Sequence, residues 1–256
     1  MFDWLDLTPY LGMPENASLH GAEIDYMMSL VHWLMIVLFL IWAPFFIYTL
    51  IRFRAKKNPK ADYHGVNSHL STYQEVGVVL AELVLLFGFA VPTWATLRSD
   101  DAYPAEEEST VVHVIAEQFA WNMHYPGADG VFGRRDVHLV DLQTNPVGLD
   151  PEDPAGKDDI VTVNELHLPV DKPVIVHLTA KDVIHSFNIP SMRVKQDAIP
   201  GLSIPLYFVP TETGEWEIAC AQLCGVGHYR MRAYVTVHTQ ENFRGWLAEQ
   251  APSPET

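Results

Sequence analysis

The sequence predicts a two-helix transmembrane hairpin followed by an all-β, Greek-key outer domain. Three observations support this fold class. Two long apolar segments lie within the first hundred residues, short runs with alternating apolar and polar residues follow residue 108, and Pro, Gly, Asn and Asp separate these runs. We therefore divide the chain into an extracytoplasmic N-terminal segment (1–23), a transmembrane hairpin (24–98) and an outer domain (99–256).

The first apolar segment covers residues 24–51 and reads IDYMMSLVHWLMIVLFLIWAPFFIYTLI. It has no formally charged residue from Tyr26 to Ile51, and a helix needs about 20 apolar residues to span a bilayer. A cleaved signal peptide is the alternative. We disfavour it because the apolar run is too long and follows acidic rather than basic residues.

The second apolar segment covers residues 76–97, VGVVLAELVLLFGFAVPTWATL, and contains one ionisable residue, Glu82. The connecting loop, 52–75, begins with RFRAKKNPK, which holds five basic residues and no acid. Five acids precede Tyr26, and the acidic stretch SDDAYPAEEE follows the second segment. The positive-inside rule places the loop in the cytoplasm and both termini on the opposite side.

The outer domain is predicted to be a sandwich or Greek-key barrel, because it contains about eight short strand-like runs. A polar stretch, 126–159, interrupts them and is interpreted as a solvated surface excursion, since its acids lack a recognisable calcium-ligand spacing. A short closing helix is predicted after its cap Thr239. The runs are 110–116, 118–125, 160–168, 173–180, 183–189, 204–210, 214–220 and 231–237.

The charge of the chain narrows the class of partner. The formal net charge is −16, and residues 99–256 hold 10 basic and 24 acidic residues, a net charge of −14. Such an acidic domain repels the phosphates of nucleic acid and attracts basic proteins. We therefore expect no nucleic acid partner.

The stretch CAQLCGVGHYRM, residues 220–231, is the candidate metal centre. It holds both cysteines of the chain, Cys220 and Cys224, followed by His228 and Met231. A disulfide would leave the histidine and methionine unexplained, and methionine is a poor zinc ligand. Copper accepts thiolate, imidazole and thioether together. Two thiolates can bridge two copper ions if a second histidine comes from elsewhere in the fold.

His185, in the run VIHSFNIP, is the favoured second histidine, because it lies at the end of a predicted strand. The positions of the histidines in the sequence make His185 the first choice as the second histidine ligand, but they do not exclude the other histidines of the domain. Most of these fall within predicted strands, where a surface or locally bonded imidazole is the default. They are His113, His124, His138, His167, His177 and His238.

The motif C-x3-C-x3-H-x2-M, the runs QFAW and VIHSFNIPSMRVKQDAIPG, and the preceding hairpin resemble subunit II of haem-copper cytochrome c oxidases. The resemblance covers nearly the whole chain. It implies a cupredoxin-like outer domain with a dinuclear copper centre, CuA, and haem only in a partner subunit. The implied copper ligands are the side chains of His185, Cys220, Cys224, His228 and Met231, and the backbone carbonyl of Gln222.

The chain departs from the family pattern at two positions near this motif. Gln222 stands where the family usually has a glutamate that helps to hold a magnesium ion at the contact with subunit I. A neutral amide is a weaker donor to a hard cation, so the magnesium is in doubt here. Phe119 stands where the family commonly has the tryptophan at which an electron enters. Phe119 and Trp121 are therefore both electron-entry candidates, although an ordinary core aromatic is an equal alternative for Trp121.

Two glutamates belong to the second apolar segment or its start. Glu75 matches the family glutamate at the mouth of a proton channel into subunit I, and a residue reaching back to the membrane surface is the alternative. Glu82 stands where the family often has proline. The resemblance gives Glu82 no role.

The resemblance implies an electron-transfer subunit of a terminal respiratory oxidase. Such a chain accepts electrons from cytochrome c or a supercomplex-bound donor and passes them to haem in subunit I, where oxygen is reduced to water. The expected partners are subunits I and III, a cytochrome c-type donor and the lipid bilayer. The expected location is a bacterial-type inner membrane with both termini periplasmic. The alternatives are the CuA subunit of a nitric oxide reductase and a membrane-anchored copper carrier or assembly protein.

Overall fold

The computed structural model describes residues 5–60, 63–65 and 68–250. These residues form two compact units. A helical unit contains the chain up to Met13 and Glu23–Ala102, and a β unit contains Pro14–Ala22 and the chain from Tyr103 onward.

The helical unit consists of two long helical segments. The first is α1, Gly21–Arg52. The second consists of α2 (Leu70–Leu85), a π-helical turn (Leu86–Ala90) and α3 (Val91–Arg98). Both segments are long and apolar enough to cross a membrane.

Both helical segments extend beyond the predicted spans 24–51 and 76–97. The second begins at Leu70, six residues before the predicted start, so the connection between the helices is shorter than 52–75. Hydropathy marks only the part of a helix that fits the hydrocarbon core. Backbone hydrogen bonds within the helix let it continue into the polar interface.

The β unit contains two five-stranded sheets with the strand orders β3-β2-β1-β5-β8 and β4-β10-β9-β6-β7. Completely buried side chains from both sheets, including Trp121 and Phe187, form its core. This arrangement confirms the predicted class, a two-helix hairpin with a cupredoxin-like β domain. The strands are β1 (Thr110–Glu117), β2 (Ala120–Tyr125), β3 (Ile160–Val163), β4 (Glu165–Pro169), β5 (Val174–Ala180), β6 (His185–Ile189), β7 (Val194–Ala198), β8 (Ile204–Phe208), β9 (Gly214–Cys220) and β10 (Arg232–His238).

The predicted single strand 160–168 is in fact two strands, β3 and β4, which belong to different sheets. Asn164 separates them with a positive φ of 60°, a conformation that asparagine tolerates better than most residues. The side-chain oxygen of Asn164 accepts a hydrogen bond from the backbone N–H of Trp121 at 2.9 Å. Strand β7 was not predicted, because its sequence VKQDA is mostly polar. It is an edge strand that pairs only with β6 among the described strands.

The stretch 126–159 was expected to be a solvated excursion, but part of it packs against the outer face of the first sheet. Val147 and the completely buried Leu149 form a small second core with Ile115 of β1. Asp159 is also completely buried. The sequence concealed this packing because few apolar side chains, among them Val147 and Leu149, anchor a stretch that is otherwise mostly polar.

Two further segments complete the β unit. In Pro14–Ala22, Ala17 is buried and its N–H donates to the Ser191 carbonyl at 2.7 Å, while the Ser18 hydroxyl donates to the Met192 carbonyl at 2.8 Å. The sequence did not predict this contact. The predicted closing helix is α4, Gln240–Glu249, and the hydroxyl oxygen of Thr239 caps its first turn.

Candidate metal centre

The candidate metal centre lies where β9, the following loop and the start of β6 meet. β9 ends at Cys220, and the Cys220 N–H donates to the Met231 carbonyl at 3.2 Å, which closes the loop at its base. β6 begins at His185 and pairs with β9 through Phe187 opposite Cys220. This strand pairing brings His185 to a loop that begins 35 residues later in the sequence.

The two thiols and His228 are neighbours. The Sγ atoms of Cys220 and Cys224 are 3.8 Å apart, and Cys224 Sγ lies 3.7 Å from His228 Nδ1. A disulfide has an S–S distance of about 2.05 Å, so these cysteines are free. Metal–thiolate bonds of about 2.3 Å allow two sulfurs on one ion to lie up to ~4.6 Å apart. The thiol spacing therefore fits two sulfurs that share a metal ion.

The remaining predicted donors face the same space. His185 Nδ1 lies 3.2 Å from Met231 Sδ, and Met231 Sδ lies 3.7 Å from Cys224 Sγ. The Gln222 carbonyl oxygen is 3.2 Å from Cys220 Sγ. The structure thus brings all six predicted donors together. Two thiols, two imidazoles and a thioether are a soft set that suits copper better than zinc, calcium or magnesium.

A carboxylate orients the His185 ring. Asp182 Oδ1 lies 2.9 Å from His185 Nε2, so a proton on Nε2 is held by the carboxylate and Nδ1 is left as the donor to a metal. The other carboxylate oxygen accepts the Gln118 backbone N–H at 2.8 Å. The Gln118 side-chain amide donates to the Cys224 carbonyl at 2.5 Å. Gln118 therefore connects the segment that carries His185 with the loop that carries Cys224.

The electron-entry candidates differ in exposure. Phe119 is half-buried, its ring lies directly against Gly225 and Gly227, and a Cβ atom at either glycine would collide with Gln118 or Phe119. Trp121 is completely buried, with its ring inclined at 65° to that of His185 at a centroid distance of 6.1 Å. Of the two aromatics, Phe119 is therefore the one that a docked protein can reach.

The pKa values of the three central groups are shifted. Burial raises the pKa of the Cys224 thiol to about 11, and the neighbouring Cys220 adds to the increase. Burial opposes the thiolate of Cys220 as well, but hydrogen bonds from His185 and backbone N–H groups outweigh it and lower the pKa of Cys220 to about 6. Burial also opposes the imidazolium of His185, yet contacts with Cys220 and Asp182 raise its pKa. One thiol thus ionises readily, whereas the other needs a bound cation to ionise near neutral pH.

The metal-centre loop itself carries exposed apolar side chains, a feature that the sequence did not reveal. Leu223, Val226 and Tyr229 are 78%, 93% and 87% exposed. Apolar groups clustered at this level of exposure are typical of protein-contact surfaces. The only indication of this surface in the sequence was the presence of three apolar residues among the proposed metal ligands.

Three of the other histidines form a row on the outer face of the first sheet. His113 lies between His124 and His177, with ring centroids at 5.7 and 5.3 Å. His124 Nε2 is 2.6 Å from Asp159 Oδ2, and His177 Nε2 is 3.1 Å from Glu106 Oε1. In the described part of the chain, the only group of His, Cys, Asp or Glu donors close enough to hold a metal is His185, Cys220 and Cys224.

The two glutamates of the second helical segment are exposed. Glu75 is the sixth residue of α2, and Glu82 lies two turns further along the same helix. Both belong to the helical unit and not to the unit that contains the metal centre.

Comparison with known proteins adds the family. The family model described as cytochrome c oxidase subunit II, periplasmic domain, matches residues 110–238, about half of the chain. The chain belongs to this family. It is 34% identical over 228 residues to an alternative cytochrome c oxidase subunit 2 from Bradyrhizobium diazoefficiens, which covers 89% of this chain and 80% of that one.

Other relatives have similar names. The chain is 29% identical over 264 residues to cytochrome c oxidase subunit 2 from Synechocystis, covering 94% of this chain and 76% of that one. Among solved structures, the periplasmic domain of subunit II of cytochrome oxidase from Bradyrhizobium japonicum is 25% identical and covers 57% of this chain and 95% of its own, with a TM-score of 0.41.

Family membership fixes the coarse function and location. The chain is subunit II of a haem-copper oxidase, the electron-transfer subunit of a terminal oxidoreductase. The two apolar helical segments and the family description make it an inner-membrane protein with a periplasmic β unit. The orientation of the two termini stays a prediction.

Proposed function

We propose that this chain holds a dinuclear copper centre, CuA, accepts electrons there from a cytochrome c-type donor and passes them to haem in subunit I. The convergence of six donors in one space is the observation that carries the proposal. The proposed ligands are the side chains of His185, Cys220, Cys224, His228 and Met231 and the carbonyl of Gln222.

The bound copper pair would supply a one-electron carrier shared between two ions. The chain's own residues supply the rigidity that fast electron transfer needs. Asp182 holds His185 by its Nε2 atom, and Gln118 ties the segment of Asp182 to the Cys224 carbonyl. The burial of His185, Cys224 and Met231 keeps bulk water away from these donors. Fixed donors need to move little when the charge changes.

The proposed electron entry is the rim around Phe119. Phe119 is half-buried and its ring lies against Gly225 and Gly227, the neighbours of the exposed Val226. Trp121 is completely buried next to the His185 ring. The outer domain has a net charge of −14, which would steer a basic donor towards the protein. If so, electron transfer from a soluble basic cytochrome slows as salt rises. A donor held in a supercomplex would instead give a flat salt dependence.

The interface magnesium is not part of this proposal. The backbone carbonyl of Gln222 faces Cys220 Sγ, whereas its side chain is exposed and ends in a neutral amide. An amide oxygen is a weaker ligand than a carboxylate for a hard cation. Subunit III remains an expected partner, and Glu75 remains the proposed entrance of a proton channel into subunit I.

Copper content and electron paramagnetic resonance of the purified, full-length protein test the proposal. Two copper ions per chain that share one unpaired electron are expected. One copper ion per chain, a zinc ion, or a native Cys220–Cys224 disulfide would contradict the dinuclear centre. A measured transfer of copper to other proteins would favour the carrier alternative.

A further inference from the structure

Glu82 places an ionisable group within the apolar part of the second helical segment, well inside the predicted span 76–97. The second helical segment runs from Leu70 to Arg98, so its midpoint is residue 84 and Glu82 lies ~3 Å from it along the axis. Its side chain is exposed on the isolated chain. A carboxylate at this depth is costly in lipid, and such residues face protein or water and mark functional positions.

The residues that the structure describes offer Glu82 no polar partner. α1 carries no charged residue between Asp25 and Arg52, and the groove between the helices near Glu82 is lined by apolar side chains such as Leu34, Ala81 and Leu85. No hydrogen bond or ion pair of the Glu82 carboxylate is formed with any residue in the described ranges. Its partner must therefore be water or another subunit.

Glu82 lies on the same helix stripe as Glu75. Seven residues make nearly two turns, so the two carboxylates lie on one face and ~10.5 Å apart along the axis. Both side chains are exposed. Because Glu75 lies nearer the basic connecting loop, which is predicted to be cytoplasmic, the pair forms two steps from that side into the membrane span.

The helix changes its hydrogen bonding immediately after Glu82. The Leu86 N–H donates to the carbonyls of both Glu82 and Leu83, and the π-helical turn occupies Leu86–Ala90. Single π-turns within α-helices often accompany functional sites. This irregularity supports a specialised position, but the main argument is that Glu82 lies within the predicted span and has no polar partner in the described ranges.

We propose that Glu82 is a proton-carrying carboxylate of the oxidase, facing the haem-bearing subunit. Oxygen reduction to water consumes protons as well as electrons. Glu82 would take up a proton on one carboxylate oxygen from a water chain that begins at Glu75, and release one to an acceptor in the haem subunit. One proton enters for each that leaves, so the carboxylate is restored. This step rests on the proposed role of Glu75.

The test uses the complete oxidase complex with Glu82→Gln, Glu82→Asp and, as a matched control at the exposed neighbouring position, Leu83→Gln. Copper and haem content report assembly, and oxygen consumption and proton uptake under excess reductant report function. We expect Glu82→Gln to slow both rates by roughly tenfold, less than the ~10² of a positioned proton-transfer group because water can replace one link. Glu82→Asp should restore most of the rate, and Leu83→Gln should leave it unchanged.

A fully assembled Glu82→Gln complex with the wild-type rate overturns the proposal, as does an equal loss in Leu83→Gln. If Glu82→Gln does not assemble, infrared difference spectra of wild type and Glu82→Asp decide. A carboxyl band that changes on reduction and shifts in the Asp variant supports proton binding, and its absence overturns it. If Glu75→Gln lowers the rates of oxygen consumption and proton uptake but Glu82→Gln does not, the proposed role of Glu82 is wrong and that of Glu75 as the channel entrance is supported. Copper content tests the electron-transfer proposal separately.

Discussion

Two of the histidine groups in the β unit have opposite surroundings. At the metal centre, Nδ1 of His185 and Nδ1 of His228 face sulfur atoms at 3.2 and 3.7 Å. In the row of His113, His124 and His177, the two outer rings are bonded to carboxylates instead. The first group has the donor arrangement of a metal site, whereas the second connects a sheet to the segments that cover it.

The difference follows from how each group is positioned. The row lies on paired strands, with His113 opposite His124 and His177 in register, so strand spacing holds the rings side by side. The Phe132 ring stacks on His113 at 3.9 Å between centroids and occupies the space above it. At the metal centre, a loop folds back on a strand end and lets its donors converge. Whether the donor atoms of a group point to one common space, and not how many histidines it contains, decides which group suits a metal.

The largest expected effect separates the two groups directly. Cys224→Ser removes a sulfur that lies within 3.8 Å of Cys220 Sγ, His228 Nδ1 and Met231 Sδ, so it should abolish the dinuclear copper signal. His177→Gln, in the row, should leave two copper ions per chain. Copper analysis and electron paramagnetic resonance measure both. Loss of copper in the His177→Gln variant would contradict the conclusion that only the metal-centre group is needed for copper binding.

The second expected effect is on stability. Asp159 is completely buried, contacts the equally buried His124 and accepts the Gly133 N–H at 2.8 Å. Asp159→Ala leaves these donors buried without an acceptor and should lower the free energy of unfolding by about 3 kcal/mol. Denaturant unfolding of the detergent-solubilised chain measures it, and the folded fraction should still bind copper. A loss below about 1 kcal/mol would show that the row is not structural.

The third effect is a pH dependence. Burial, followed by the charge of Arg135, lowers the pKa of His113 from 6.5 to about 3. Between these values the unfolded chain binds a proton that the folded chain does not, so stability falls as pH falls from 6.5 towards 3, by up to about 1.4 kcal/mol per pH unit. His113→Phe, which keeps an aromatic partner for Phe132, should flatten this slope. The exposed His138 provides the control, His138→Gln, which should retain it.

The smallest expected effect concerns the fit of the metal-centre loop. A Cβ at Gly227 would meet the ring of Phe119, so Gly227→Ala should displace the loop and weaken copper retention a few-fold without removing a ligand. Gly245→Ala, in α4, meets nothing within 4 Å and is the matched control. Copper release to a chelator compares the two variants. Equal release rates would mean that the loop does not depend on Phe119.

The sequence predicted the metal centre better than its surroundings. Cys220, Cys224 and Met231 lie within twelve residues, so local spacing alone indicated a soft-metal site. His185 needed the family resemblance, because its neighbour in space lies 35 residues away in sequence. The row around His113 could not be predicted, since it depends on the register of three strands that the sequence leaves undetermined.

The remaining errors have similar causes. Asn164 interrupts a run that alternates on both sides of it, so the change of sheet had no signal in the pattern. Pro14–Ala22 joins the β unit mainly through hydrogen bonds to backbone carbonyls, which the sequence pattern does not encode. The membrane helices were found readily because composition alone marks them, but their ends were not, since helices continue beyond the apolar core.

The contact of Gln118 with the Cys224 carbonyl joins residues 106 positions apart. During synthesis, the segment that contains Gln118 therefore leaves the ribosome long before the loop that contains Cys224. The chain cannot close the metal-centre loop until nearly all of the β unit has emerged and paired, because contacts of such long range form late in folding. A metal that binds all six donors therefore meets a folded β unit and not a nascent peptide.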